Sequence, residues 1–161
     1  FEHRRQYTFR HAPGEYGHHE SGSLGDRGDG LTTEVWWTPS HPFKSSLTGQ
    51  SAKQLADSWT ATSKRQWTQP LGFVHALFEV AIDTLQRSKN LSDPKSILQA
   101  IAATNLNTIV GPVKWPGPVK NVSKTPLVAG QWVKKGKTFE LVVTANKNSP
   151  IIPIGGKTRS L

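Results

Sequence analysis

The spacing of hydrophobic positions divides the 161 residues into a silent stretch, one strand, three helices and a closing run of strands. From Thr33 the stretch T-E-V-W-W carries β-branched and aromatic residues to Trp37 and predicts a strand. Pro39 stops it, because proline donates no hydrogen bond to a ladder. Residues 39–49, with Pro42 and several serines, read as a connecting loop. Ala52, Leu55, Ala56 and Trp59 then recur at i, i+3, i+4 and i+7, the signature of an amphipathic helix over about 51–63, with Trp59 on its core side. Pro70 suits a first helical turn, and Val74, Leu77, Phe78, Ala81 and Leu85 form one face of a helix ending near Lys89. Leu71, Phe73, Val80 and Ile82 make that helix apolar elsewhere, so it is expected to pack on more than one side, as a helix covering a sheet beside a neighbour does. Asp93-Pro94 pairs an N-cap with a proline at the first helical position, and Ile97, Leu98, Ile101 and Ala102 follow as a short apolar face that ends before Asn105.

Strand signals alone come after it, at residues 108–110, 113–115, 128–133 and 138–144. The last two flank Lys134-Lys135-Gly136-Lys137 and predict a β-hairpin. The tail beyond Asn146, with Pro150 and Pro153, reads as a wrapped or frayed terminus. One strand, three helices and then several strands do not close a doubly wound sheet, because the helices have too few strands to cover. Partner strands are expected to be missing, and the expected class is α/β.

Residues 1–32 differ from the rest. They hold seven apolar residues, show no period of 2.0 or 3.6, and contain no lysine, whereas all thirteen lysines lie at Lys44 or later. Composition therefore predicts a disordered or non-native segment over 1–32 and a folded part over 33–161. Four of the six histidines fall in it, but His18-His19 has no second ligand pair at helical or hairpin spacing, so no metal is expected. Arg27-Gly28-Asp29 spells an adhesion tripeptide too short to carry information.

Charge changes the picture little. The formal net charge is +9 and the mean hydropathy −0.49. Four arginines face five acids up to Thr32, and sixteen lysines and arginines face six acids after it. Within the basic part only Lys134, Lys135 and Lys137 cluster, at the expected hairpin turn, which reads as a solvated surface and not as a phosphate-binding face. No nucleic-acid partner is expected; a small basic module that binds nucleic acid or another anionic partner is the alternative reading. Without cysteine there is no disulfide framework, thiolate chemistry or Cys-ligated metal. No apolar run is long enough to span a bilayer, and Phe1 opens no signal-peptide pattern. The missing initiator methionine marks the chain as a processed product or a fragment.

Candidate chemistry is thin. No phosphate loop of standard spacing occurs, so no cofactor is expected. His41 and His75 lack an identifiable nucleophile or orienting carboxylate, and Glu79, one turn after His75, reads as its helix-surface partner. No catalytic residue is assigned and the chain is not read as an enzyme. The six tryptophans are more informative, since indole supplies both apolar area and a donor. Trp115 and Trp132 sit on strand signals and read as core. Trp36 and Trp37 alternate across their strand, one inward and one outward. Trp67 precedes a helix start beside Gln69, whose amide suits a polar ligand. Trp37, Trp67 and Gln69 are the ligand-binding candidates by residue type and position.

Read in order, E-V-W-W-T-P-S-H-P-F (34–43), S-L-T-G-Q-S-A-K-Q-L-A (46–56), Q-P-L-G-F-V-H-A-L-F-E-V-A-I (69–82), D-P-K-S-I-L-Q-A-I (93–101), T-I-V-G-P-V-K-W (108–115) and P-L-V-A-G-Q-W (126–132) resemble the C-terminal part of type I periplasmic substrate-binding proteins. These are receptors of ABC importers for branched-chain amino acids, amides and urea. The resemblance covers about residues 31–161. It implies two Rossmann-like lobes joined by three crossings, a ligand between them and closure by a hinge. It further implies that this chain contributes the back end of both lobes, a periplasmic location, and a membrane ABC permease as partner beside the small-molecule ligand. Residues 69–73 match a cleft-facing segment of the family, which adds Phe73 to the ligand-binding candidates. A tyrosine frequent there is replaced by Gly72 or Phe73. Residues 1–32 depart entirely from the family pattern.

Overall fold

The computed structural model describes residues 25–115, 119, 121–136 and 138–160. The expectations placed on residues 1–24, His18-His19 included, lie outside them.

The described chain opens with a 3₁₀ turn, Gly25–Gly28, docked on the sheet. The Gly30 N–H donates to the Trp132 carbonyl at 2.8 Å. The Asp29 carboxylate accepts from the Lys134 backbone N–H at 2.7 Å and from the Arg159 guanidinium at 2.8 Å. These donors, the backbone one first, hold its carboxyl below the usual carboxylate range. Strand β1 (Thr32–Val35) pairs antiparallel with β4 (Val128–Lys135), which pairs antiparallel with β5 (Thr138–Ala145). The sheet order is β1-β4-β5. The expected β4–β5 hairpin forms, and Gly136 at φ +62° supplies the left-handed residue that its tight turn needs.

One face of this sheet carries a core of Val35, Val128, Trp132, Leu141 and Val143, closed by Ile152 of the C-terminal tail. The tail wraps the sheet. Gly155 donates to the Val143 carbonyl at 2.9 Å, and the Gln131 carboxamide both gives to and takes from the Arg159 backbone, at 2.8 and 2.9 Å.

A second core joins Trp37, Ala52, Ala56, Ala76, Ile109 and Val110, between helices α1 (Ala52–Ser63) and α2 (Gln69–Arg87). Helix α1 starts on a capping box: the Ser51 hydroxyl accepts from the Gln54 N–H, and the Gln54 side chain accepts from the Ser51 N–H. Helix α3 (Pro94–Ala102) starts on Asp93, whose carboxylate accepts from the Lys95 N–H at 3.0 Å. Strands β2 (Asn105–Thr108) and β3 (Gly111–Lys114) form a separate antiparallel hairpin. Residues 108–110 were expected as strand, yet Ile109 and Val110 form the turn. Their N–H groups are held by the Glu79 carboxylate and the Thr108 hydroxyl, and Gly111 at φ +106° turns the chain.

Helix α2 faces the opposite way from its pattern. The residues against the rest of the molecule are Gln69, Gly72, Ala76, Glu79 and Thr84. The face expected to be core is in solvent: Val74 is 53% exposed, Leu77 66%, Phe78 59% and Leu85 48%, with Ile82 beside them. At Gly72 no side chain fits on the inner side, because the helix backbone approaches the Trp37 ring there. Trp59, expected in the core, is likewise exposed, and α1 instead buries Ala52 and Ala56. Trp132 is buried as expected, and Trp115 is half-buried.

Candidate ligand-binding site

The four candidate residues meet where β1 leaves the sheet and α2 begins. β1 ends at Val35, earlier than the expected Trp37, because Gln69 takes over the backbone there. Its Oε1 accepts from the Trp36 N–H at 2.9 Å and lies 3.4 Å from the Trp37 nitrogen, while its Nε2 donates to the Glu34 carbonyl at 3.3 Å. The amide mimics a neighbouring strand. It is buried, and its two ends are engaged by β1 and by the residues that follow it.

The strand pleat decides the two tryptophans. Trp37 turns inward and is fully buried, edge-on to Trp67 with ring centres 5.8 Å apart and planes at 82°. Its indole N–H has no acceptor among the described residues. Trp67 packs against both cores and joins them. Trp36 turns outward and meets Phe73 edge-on at 5.1 Å and 70°. Both rings are half-buried, as is Trp67, and the pair leaves part of its aromatic surface to solvent. Trp36 was not singled out from sequence. The alternation of a strand carried the signal, but not which of two adjacent tryptophans faces out.

The loop from Thr38 to Gln50 is clamped to α2. The Ser45 hydroxyl oxygen accepts from the Leu47 and Thr48 N–H groups and lies 2.7 Å from His75 Nε2. Ser45 is buried, so the serine–histidine pair fastens loop to helix. Glu79 is not the surface partner of His75: it is fully buried, with Oε1 accepting from the Ser46 N–H and hydroxyl and Oε2 from the Ile109 N–H at 2.9 Å. Three donors on one carboxylate tie the loop, α2 and the β2–β3 turn to a single point.

His41 sits in the same loop, buried, with Nδ1 accepting from the Thr38 N–H at 3.1 Å. Burial penalises the imidazolium and pushes its pKa down from 6.5 to about 4. The unfolded chain therefore takes up a proton below about pH 6.5 that the folded chain refuses until about pH 4. Stability is unaffected above that window, falls through it as pH drops, and levels off below it. The expected loss is about 3 kcal/mol at most. Urea midpoints measured from pH 7 to 4 for the protein and for His41→Gln check this, the substitution removing that part of the slope.

Elsewhere, an open hollow of about 550 Å³ lies where β1, the start of β4 and the end of β5 meet, with Glu34 and Lys147 as its charged lining. Among the described residues no group of three or more His, Asp or Glu gathers as a metal site requires. No described helix is long and apolar enough to cross a membrane. Of the clustered lysines, Lys134 is paired with Asp26 and Lys135 lies 3.9 Å from Glu140.

No family model matches the chain, and no curated protein matches it. Among solved structures, a leucine-binding protein of Thermotoga maritima superposes on 77% of this chain with a TM-score of 0.53 and 14% identity. The chain spans about a third of that protein, 33% of its length. Shared architecture at this identity speaks for fold alone: the described residues form a mixed α/β arrangement of two small sheets and three α-helices, similar to part of that leucine-binding protein.

Proposed function

We propose that this chain is the C-terminal part of a substrate-binding receptor of an ABC importer, periplasmic, holding an amino acid, amide or urea-like molecule between two lobes that close about a hinge. The observation that carries the reading is the Trp36–Phe73 wall at the junction of β1 and α2, in a fold shared with a leucine-binding protein. In this reading Phe73 and Trp36 touch ligand, while Gln69, Trp37 and Trp67 lie behind them and hold the wall in place. An edge-on aromatic pair offers apolar area and a fixed shape, and the ligand's charged groups are met from the facing lobe. The mechanism is closure around a ligand with no bond made or broken.

Titrating L-leucine, acetamide and urea against tryptophan fluorescence of the full chain tests it. One wall of a cleft binds weakly, so saturation with one of the three is expected at about millimolar concentration. Phe73→Ala is expected to weaken that response about tenfold by removing the edge-on partner of Trp36. No saturation with any of them, or a response that collapses steeply with salt as phosphate binding does, contradicts the reading.

A further inference from the structure

We infer that the hollow where β1, the start of β4 and the end of β5 meet is a second binding site, for a small zwitterion whose ammonium group meets Glu34 and whose carboxylate meets Lys147. The inference does not rest on the ligand site proposed above. Trp36 follows Glu34 by two residues, yet neither Trp36 nor Phe73 belongs to the lining of the hollow.

The sheet builds the floor. Glu34 lies opposite Ala129, and a register shift between Ala129 and Gly130 brings Ala145 of the next strand level with Ala129. Val35 and Val128, the adjacent positions in β1 and β4, turn to the other face and enter the core. The outer face therefore carries a carboxylate and then two methyl groups in a row, which leave open the space that longer side chains would fill. Past Ala145 the chain turns, with the Ser149 N–H on the Asn146 carbonyl at 2.8 Å, and Lys147 and Asn148 complete the lining. At about 550 Å³ the hollow has the size of a small-molecule site.

Pairing singles out Glu34. Five other described side-chain carboxylates form ion pairs, Glu79 accepts three donors and Asp93 caps α3. Glu34 alone among the described residues has a carboxylate with neither an ion pair nor a hydrogen bond, in a chain of twenty lysines and arginines against eleven acids. The Lys147 ammonium likewise has no partner among the described residues, although it lines the same hollow. Opposite charges that share a hollow without meeting select a molecule that carries both signs. A dianion is repelled by Glu34 and a dication by Lys147, and a single charge satisfies one of the two. Both side chains are exposed, so each contact is weak and screened by salt.

Glycine at pH 7 is the probe, read by NMR on the full chain with isotope-labelled alanine methyls, because Ala129 and Ala145 line the hollow and no tryptophan does. Saturating shifts of these two methyls are expected at about 10 mM glycine, with acetate or methylammonium alone binding about fivefold more weakly. Glu34→Gln and Lys147→Gln are each expected to weaken glycine binding about fivefold. Because both side chains are exposed, neither substitution moves the circular dichroism or the unfolding midpoint. Unshifted Ala129 and Ala145 methyls, acetate or methylammonium binding as well as glycine, or a glycine response indifferent to both substitutions overturns the inference. The fluorescence titration reads tryptophan and not this hollow, so the two sites fail separately.

Discussion

Gly72→Ala is expected to be among the most damaging single substitutions in the chain. A Cβ built at residue 72 stands 2.5 Å from Trp37 Cδ1 and closer still to Cγ and Cδ2. The ring cannot give way, because Trp37 is fully buried, edge-on to Trp67 and next to the backbone that Gln69 holds. The helix must then back off, which opens the core of Trp37, Ala52, Ala56 and Ala76 and loosens the Gln69 bonds to β1. Overpacking of this kind costs about 3 kcal/mol. For a domain of this size that corresponds to a melting temperature lowered by about 10 °C. Thermal unfolding followed by circular dichroism measures it; a melting temperature within about 2 °C of the parent contradicts the close approach of α2 to Trp37.

Removing the Glu79 carboxylate is expected to be as costly for a different reason. Glu79→Ala leaves the Ile109 N–H and the Ser46 N–H without their acceptor, at a fully buried position. The buried Ile109 donor left unpaired costs about 1–3 kcal/mol and the truncation adds a cavity, while water can reach the Ser46 N–H, so a loss of about 3 kcal/mol is expected. Glu79→Gln separates shape from charge. It keeps the volume and one acceptor oxygen but turns an NH2 group toward a donor, so it is expected to recover about half of the loss. Urea unfolding of the two variants checks the order. Equal stability of Glu79→Ala and the parent excludes the carboxylate as the tie between the loop, α2 and the β2–β3 turn.

The sequence was most legible where structure is local. The apolar period from Ala52 to Ala56, Asp93 before Pro94, and Gly136 between two alternating runs each act over a few residues, and α1, α3 and the β4–β5 hairpin form where those signals lie. The fold class was legible through order: the architecture expected from the succession of short motifs agrees with that of the leucine-binding protein. What could not be read was side. Helix α2 shows one apolar face by its period, and period alone does not say whether that face meets a neighbour within the same residues. Gly72 and Ala76, small residues four apart, mark its inner side only once Trp37 is seen against them.

Glu79 was misplaced for a related reason. Four residues from His75 on a helix, it fits a surface pair, and its true partners lie 33 and 30 residues away in Ser46 and Ile109. Gln69 has the residue type of a ligand contact, but the amide of a glutamine fits an extended backbone equally well, and here its two ends bond Glu34 of β1 and Trp36 just after it. Trp36 and Trp37 are adjacent and chemically identical, so only the pleat of β1, which the sheet sets, separates the outward ring from the core one.

Hydroxyl-radical footprinting of the chain, at a dilution where light scattering shows a monomer, tests the reversed helix most directly. With α2 turned outward, Leu77, Phe78 and Leu85 oxidise rapidly while Trp37, Ile109 and Ile152 are protected. Protection of Phe78 and Leu77 to the level of Ile109 would mean that this face is covered, and would contradict the outward turn of α2.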